Sequence, residues 1–323
     1  MAQGGCVMAW EAHSARNGLS WQPPAAARER VDTLMPVYRR FVTATLEPIV
    51  QAYYPALLDN AGNEYRKMVE LSTKMMLVGH ACTEIADYPY DERRQRIACL
   101  FGCCCFLADS FLDDFGDEAT RTYLKRLEQL FTTGWFTVEN DREKLFYIVV
   151  SRLFAERDIL EPTLRQAILR LFEAQRRDVD MRYLDTELKA MPRTQRLALL
   201  KRCARDRSGH AIILLSAFLL PHLSLDYIRL IFVAGALIMF IDDHGDCYAD
   251  RADHRITYMN ALGRPEKALR RIFFSHIEKL MRGLRPAAGR DLLIAFLTRY
   301  YVTRLQKHRE QRRLRGPAWA VYE

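Results

Sequence analysis

The sequence predicts an all-α protein, one domain of about ten antiparallel helices around a single core. Three observations carry this expectation. Apolar residues recur at helical spacing along almost the whole chain. Alternating β-branched runs and hairpin turn dipeptides are nearly absent. Prolines and glycines fall between the periodic segments, where they end helices.

The elements follow in order. Residues 1–28 hold Gly4, Gly5, Pro23, Pro24 and a run of alanines, without a signal-peptide hydrophobic core, and read as a loose leader. Helices are expected at 29–58 and 63–87, the second ending before Pro89. Segments 91–117 and 119–133 lie between Pro89 and Gly134. Segments 141–158 and 162–190 meet at Pro162 and stop before Pro192. Segment 194–220 ends at Pro221, and 224–250 precedes the break at Gly263. The last two, 264–283 and 287–314, flank Pro286. The helical domain is therefore 29–315, with 316–323 as a tail.

Composition narrows the function classes. Half of the 323 residues are hydrophobic, enough for a large core. The net charge of +8 admits a nucleic acid, a membrane surface or an anionic substrate. The densest basic stretch, Arg304 to Arg315, reads as the polar side of a terminal helix, and no aromatics interleave as in a nucleic-acid motif. The longest apolar stretch, Ala211 to Ile241, is broken by Pro221, His222, Asp226 and Arg229, whereas a bilayer span needs ~20 apolar residues. No transmembrane segment is expected. None of the eight cysteines forms a CxxC pair, and Cys103, Cys104 and Cys105 sit inside an apolar run. They read as small buried hydrophobes in a reducing, cytoplasmic setting.

Two segments are apolar nearly all round, Ile97–Leu107 and Ile228–Ile241, as helices central to a bundle are. Each runs into a burst of aspartates. In the first, Asp109, Asp113 and Asp117 stand at i, i+4 and i+8, with Asp114 beside them. In the second, Asp242, Asp246 and Asp250 repeat that spacing, with Asp243 alongside. Residues so spaced share one helix face. Like charges there destabilise a helix, and carboxylates near its C-terminus oppose the macrodipole. A divalent cation reverses that sign, and hard oxygen ligands completed by water and phosphate describe magnesium. One such cluster is as readily a solvated helix end. Two, each capping an apolar helix, point to a site.

These residues resemble the class I terpene synthases of the isoprenoid synthase superfamily. Asp113-Asp114-Phe-Gly-Asp117 matches their DDxxD motif, and Asp242-Asp243-His-Gly-Asp246-Cys-Tyr-Ala-Asp250 resembles an all-aspartate form of their second motif. The resemblance covers roughly residues 90–300 and implies the isoprenoid synthase fold around a central apolar pocket. It implies three Mg²⁺ ions held by Asp113, Asp114, Asp117, Asp242, Asp246 and Asp250, and a farnesyl or geranylgeranyl diphosphate substrate. It also implies a diphosphate-sensing Arg205 with a helix-breaking effector Gly209, and diphosphate contacts from Arg251 and the Arg299–Tyr300 pair. Asp113, Arg205 and Gly209 would then be catalytic. A homodimer is possible, since the superfamily leans that way. The sequence departs from the pattern at Ala249, where many members carry lysine. Phe106, Phe218 and Phe240 could face a carbocation, though each reads first as core.

Other readings stay open. The DDxxD at 242–246 also fits a chain-elongating prenyl diphosphate synthase. The pairs Asp109/Asp113 and Asp242/Asp246 fit the DxxxD of head-to-head squalene- and phytoene-type synthases. A helical metal- or partner-binding protein without catalysis is the reading from a different class.

Overall fold

A computed structural model of the chain describes residues 22–59, 63–114, 117–158, 161–183, 188 and 190–315. The side chains of 110–121 lie outside the described set, so Asp113, Asp114 and Asp117 do too, as do residues 1–21 of the expected leader and the tail 316–323. Among the described residues the chain is all α, without a strand. The helices are α1 (Ala25–Tyr53), α2 (Ala56–Asp59), α3 (Glu64–Ile85), α4 (Glu92–Asp114), α5 (Asp117–Thr133) and α6 (Asp141–Ala155). They continue with α7 (Pro162–Tyr183), α8 (Arg193–Leu219), α9 (Leu225–Ala252), α10 (Pro265–Gly283) and α11 (Ala288–Arg315).

The described helices differ from the expected bounds at three places. The first helix starts inside the expected leader, at Ala25, directly after Pro24 at its N-cap. It stops at Tyr53 because Tyr54 precedes Pro55 and is extended rather than helical. Of the expected helix over 91–117, the described residues give α4 up to Asp114 and α5 from Asp117, and residues 115 and 116 between them lie outside the described set. The expected helix over 162–190 is α7, ending at Tyr183.

Helices α3, α8, α9 and α11 pack in a ring, α3 on α8, α8 on α9, α9 on α11 and α11 on α3. Helix α4 lies against α3 and α8, with α1, α6, α7 and α10 outside them. The two segments apolar all round are where the periodicity placed them: Ile97, Cys99, Cys103, Leu107, Ile231, Leu237, Phe240 and Ile241 are buried. Close crossings set the ring. A Cβ on Gly102 would lie 2.4 Å from the Ser72 Cα, bringing α3 and α4 into backbone contact. A Cβ on Gly235 would lie 2.5 Å from the Ser208 carbonyl oxygen, doing the same for α8 and α9. The described cysteines are free thiols, all but Cys105 buried, as expected of small hydrophobes. Among the described residues no helix is long and apolar enough to cross a membrane.

Candidate functional site

The aspartates of α9 stand where its apolar stretch ends. Asp242, Asp243, Asp246 and Asp250 all line a cavity of about 230 Å³, joined by Asp109 from α4 and Asp178 from α7. Arg207 and Arg255 are its basic lining residues. A second cavity, of about 240 Å³, is bounded by side chains of α3 to α9 and α11. Its wall is hydrocarbon and aromatic, with Phe101, Phe131, Phe146, Phe154, Phe172, Phe218 and Phe296 among the lining residues. Of the three phenylalanines singled out in the sequence, Phe218 lines this chamber, while Phe106 and Phe240 do not. The two cavities share Asp109, Arg207, Met239 and Asp242. An apolar chamber thus meets an acid-lined one at a neck of two aspartates, an arginine and a methionine.

Helix α11 supplies the counter-charge. Tyr300 donates its hydroxyl proton to Asp242. Arg304, one turn on, binds Asp242 and also reaches Asp246 at 3.1 Å. Lys307 binds Asp246. Gly245 makes room for this, since a Cβ there would sit 2.6 Å from the Arg304 Cδ. Burial opposes ionisation of Asp242, but Arg304, the Tyr300 hydroxyl, Lys74 and Lys307 outweigh it and hold its carboxyl below the usual range. Asp243 is the opposite case. Burial and the Asp250 carboxylate push it well above the usual range, and the pull of Arg207 does not compensate. Asp243 makes no ion pair among the described residues.

Across the neck, Arg207 reaches Asp178 at 3.0 Å and Asp109 at 3.5 Å. Lys74 of α3 also lines the apolar chamber. Its ammonium lies 5.0 Å over the Tyr300 ring without an ion pair, and burial, helped by Arg304, lowers its pKa. Tyr300 goes the other way, raised well above its usual value by burial and by Asp242.

The structure therefore gathers Asp242, Asp246, Asp250 and Tyr300, and moves four other expected residues away. Arg205 points outward, its side chain 49% exposed against 14% for Arg207, and it pairs with Asp206 at 3.2 Å. Two residues along a helix turn ~200°, so only one of these arginines can face the neck. Gly209 does not break its helix, because α8 is continuous from Arg193 to Leu219. Its role is clearance: a Cβ there would lie 2.5 Å from the Phe232 ring. Arg251 donates to the Asn260 carbonyl at 3.3 Å, tying down the loop after α9, and lines neither cavity. Arg299 pairs with Asp32 of α1, so Arg304 is the arginine that joins Tyr300.

Sequence reasoning missed Arg304, Arg207, Lys74 and Asp178 as residues of these cavities and their counter-charge. The spacing of Tyr300, Arg304 and Lys307, i, i+4 and i+7, puts them on one face and was the available signal. A lone lysine in the apolar run Leu71–Val78 was a second. Nothing around Asp178 marks it out.

The donors here are carboxylate oxygens, the kind that hold a hard divalent cation. Among the described residues no three carboxylate, imidazole or thiol groups converge into a ready-made metal shell. Arg304 and Lys307 hold Asp242 and Asp246 instead. No protein-family model, no curated protein and no solved structure matches the chain.

Proposed function

We propose that this chain is a class I terpene synthase: it ionises an allylic isoprenyl diphosphate, farnesyl or geranylgeranyl, and guides cyclisation of the resulting carbocation to a terpene. One observation carries the reading. A hydrocarbon-lined chamber shares a neck with a cavity lined by Asp109, Asp178, Asp242, Asp243, Asp246 and Asp250. That pairing suits an amphiphile with a long apolar tail and a polar head.

Arg304 and Lys307 already hold Asp242 and Asp246, Arg207 pairs with Asp178 and Asp109, and Asp243 is held toward its neutral form, so a diphosphate head is best accommodated together with cations that compete for these carboxylates. A diphosphate with Mg²⁺ meets that condition. Asp242, Asp246 and Asp250 are the residues proposed to hold Mg²⁺ on α9, with Asp113, Asp114 and Asp117 of the DDxxD motif added by the resemblance. Burial, and after it the Asp250 carboxylate, raise the Asp243 pKa, and a divalent charge beside them would favour the ionised form. When bound, Mg²⁺ supplies Lewis-acid neutralisation of the departing diphosphate.

The protein's own groups do the rest. Arg304 and Lys307 hold Asp242 and Asp246 in place until a cation competes for them. Arg207 at the neck and Lys74 in the chamber wall offer positive charge where negative charge would develop on the leaving oxygen. The Tyr300 hydroxyl stays protonated and can donate to that oxygen. The chamber keeps water from the carbocation, and its phenylalanine faces stabilise the moving charge.

The test is incubation with geranyl, farnesyl and geranylgeranyl diphosphates, with and without Mg²⁺, and gas chromatography–mass spectrometry of the extract. A Mg²⁺-dependent hydrocarbon or terpene alcohol from one substrate supports the reading. A longer prenyl diphosphate, formed only with added isopentenyl diphosphate, moves the function to chain elongation. A folded protein with no product in either assay refutes both.

A further inference from the structure

A third cavity, of about 440 Å³, opens beside the acid-lined one and shares Tyr258 with it. Its chemistry is reversed. Lys201 of α8 and Arg264, Lys267 and Arg271 at the start of α10 line it, and no carboxylate does. All four side chains are exposed, and none makes an ion pair among the described residues. Lys201 stands 5.9 Å from the centre of the Tyr258 ring. The acid nearest in sequence, Glu266, is turned away to Arg309.

Four like charges around one groove repel each other, and a bound polyanion is the simplest relief. Two guanidinium groups offer the forked donors that match phosphoryl oxygens, and two ammonium groups add point charge. Helix α10, 19 residues long, adds its N-terminal dipole, and no side chain caps that end. The neighbouring cavity makes the contrast useful. There the cations Arg304 and Lys307 are engaged by Asp242 and Asp246, whereas among the described residues no carboxylate pairs with the cations of the groove.

We propose that the groove formed by Lys201, Arg264, Lys267 and Arg271 is a second, metal-independent binding site for a diphosphate group, at the side of the acid-lined cavity. The inference stands on charge and placement and does not require turnover. If the chain ionises prenyl diphosphates, the groove also holds the released diphosphate outside the reacting site.

Titration calorimetry with inorganic diphosphate, in EDTA and 150 mM salt, tests it on the full chain. Wild type is expected to bind one equivalent. Lys267→Glu/Arg271→Glu, both surface changes checked by circular dichroism, is expected to weaken binding at least tenfold. Asp246→Asn is expected to bind as wild type does or more tightly, which separates this site from the acidic one. No binding by wild type, or equal binding by the charge-reversed protein, overturns the proposal. A lipid source of the same phosphate chemistry is tested by sedimentation with phosphatidylglycerol–phosphatidylcholine vesicles. Vesicle binding that needs Lys267 and Arg271 but is not displaced by millimolar diphosphate also overturns it, in favour of a membrane surface.

Discussion

The guanidinium of Arg304 on α11 binds the Asp242 carboxylate on α9, and the same group reaches Asp246 one turn further on. Two aspartates that would otherwise repel are thereby held at one wall of a cavity. Arg304→Gln leaves both with only Lys74, Lys307 and Tyr300 nearby. In the absence of Mg²⁺ this variant is expected to lose about 1 kcal/mol of stability, because the Asp242 carboxylate is 37% exposed and the pair is partly screened by water. Urea denaturation measures it. Added Mg²⁺ is expected to recover more stability in the variant than in wild type, because the freed carboxylates bind it.

Lys74 is a cation in the wall of an apolar chamber without an ion-pair partner. Lys74→Met removes a buried charge and keeps the volume, so stability is expected to rise by about 1 kcal/mol. Affinity for diphosphate measured with Mg²⁺ is expected to fall about tenfold, the worth of one charge-assisted hydrogen bond. Unchanged affinity would show that Lys74 does not face the ligand.

These two residues also mark where sequence reading stops. Helix order and the placement of two apolar helices were legible, because periodicity and proline breaks are local properties. The α9 aspartates were legible for the same reason. Which of Arg205 and Arg207 turns inward depends on the rotation of α8 against α9, set by the contacts of Gly235 with Ser208 and of Gly209 with Phe232. Which of Arg299 and Arg304 joins Tyr300 depends on how α11 faces α1 and α9. Asp178 is brought to Arg207 only by the packing of α7 on α8. Such choices are made by tertiary packing between residues far apart in the chain, and no short motif records them.

The crossing itself makes a prediction. Alanine at 235 meets backbone atoms of Ser208 and Gly209, which cannot swing aside. Gly235→Ala is expected to destabilise by about 2 kcal/mol despite alanine's better helix propensity. Gly209→Ala meets the ring of Phe232, so adding Phe232→Leu is expected to restore most of the loss. Urea midpoints of the single and double variants check both.

Burial lowers the pKa of His80, His210, His244, His276 and His308, and that of His244 is pushed down to about 3 by burial and by His308. A histidine with a depressed folded pKa binds fewer protons folded than unfolded. Its contribution is intact above the unfolded value near 6.5 and is lost as pH falls below it. His244 alone costs about 1.4 kcal/mol on going from pH 7.5 to 5.5. Neither of its ring nitrogens has a hydrogen-bond partner. His244→Phe is therefore expected to flatten the pH dependence of stability by about that amount, read from urea unfolding at the two pH values.

The central claim is that the α9 carboxylates act on a prenyl diphosphate through Mg²⁺. Release of inorganic diphosphate from farnesyl and geranylgeranyl diphosphates, by wild type, Asp246→Asn and Arg205→Gln, tests it most directly. Wild type is expected to release diphosphate only with Mg²⁺, Asp246→Asn to lose at least about 100-fold and Arg205→Gln, whose side chain is 49% exposed, to change little. Release that survives in Asp246→Asn, or that wild type never shows with Mg²⁺, would contradict it.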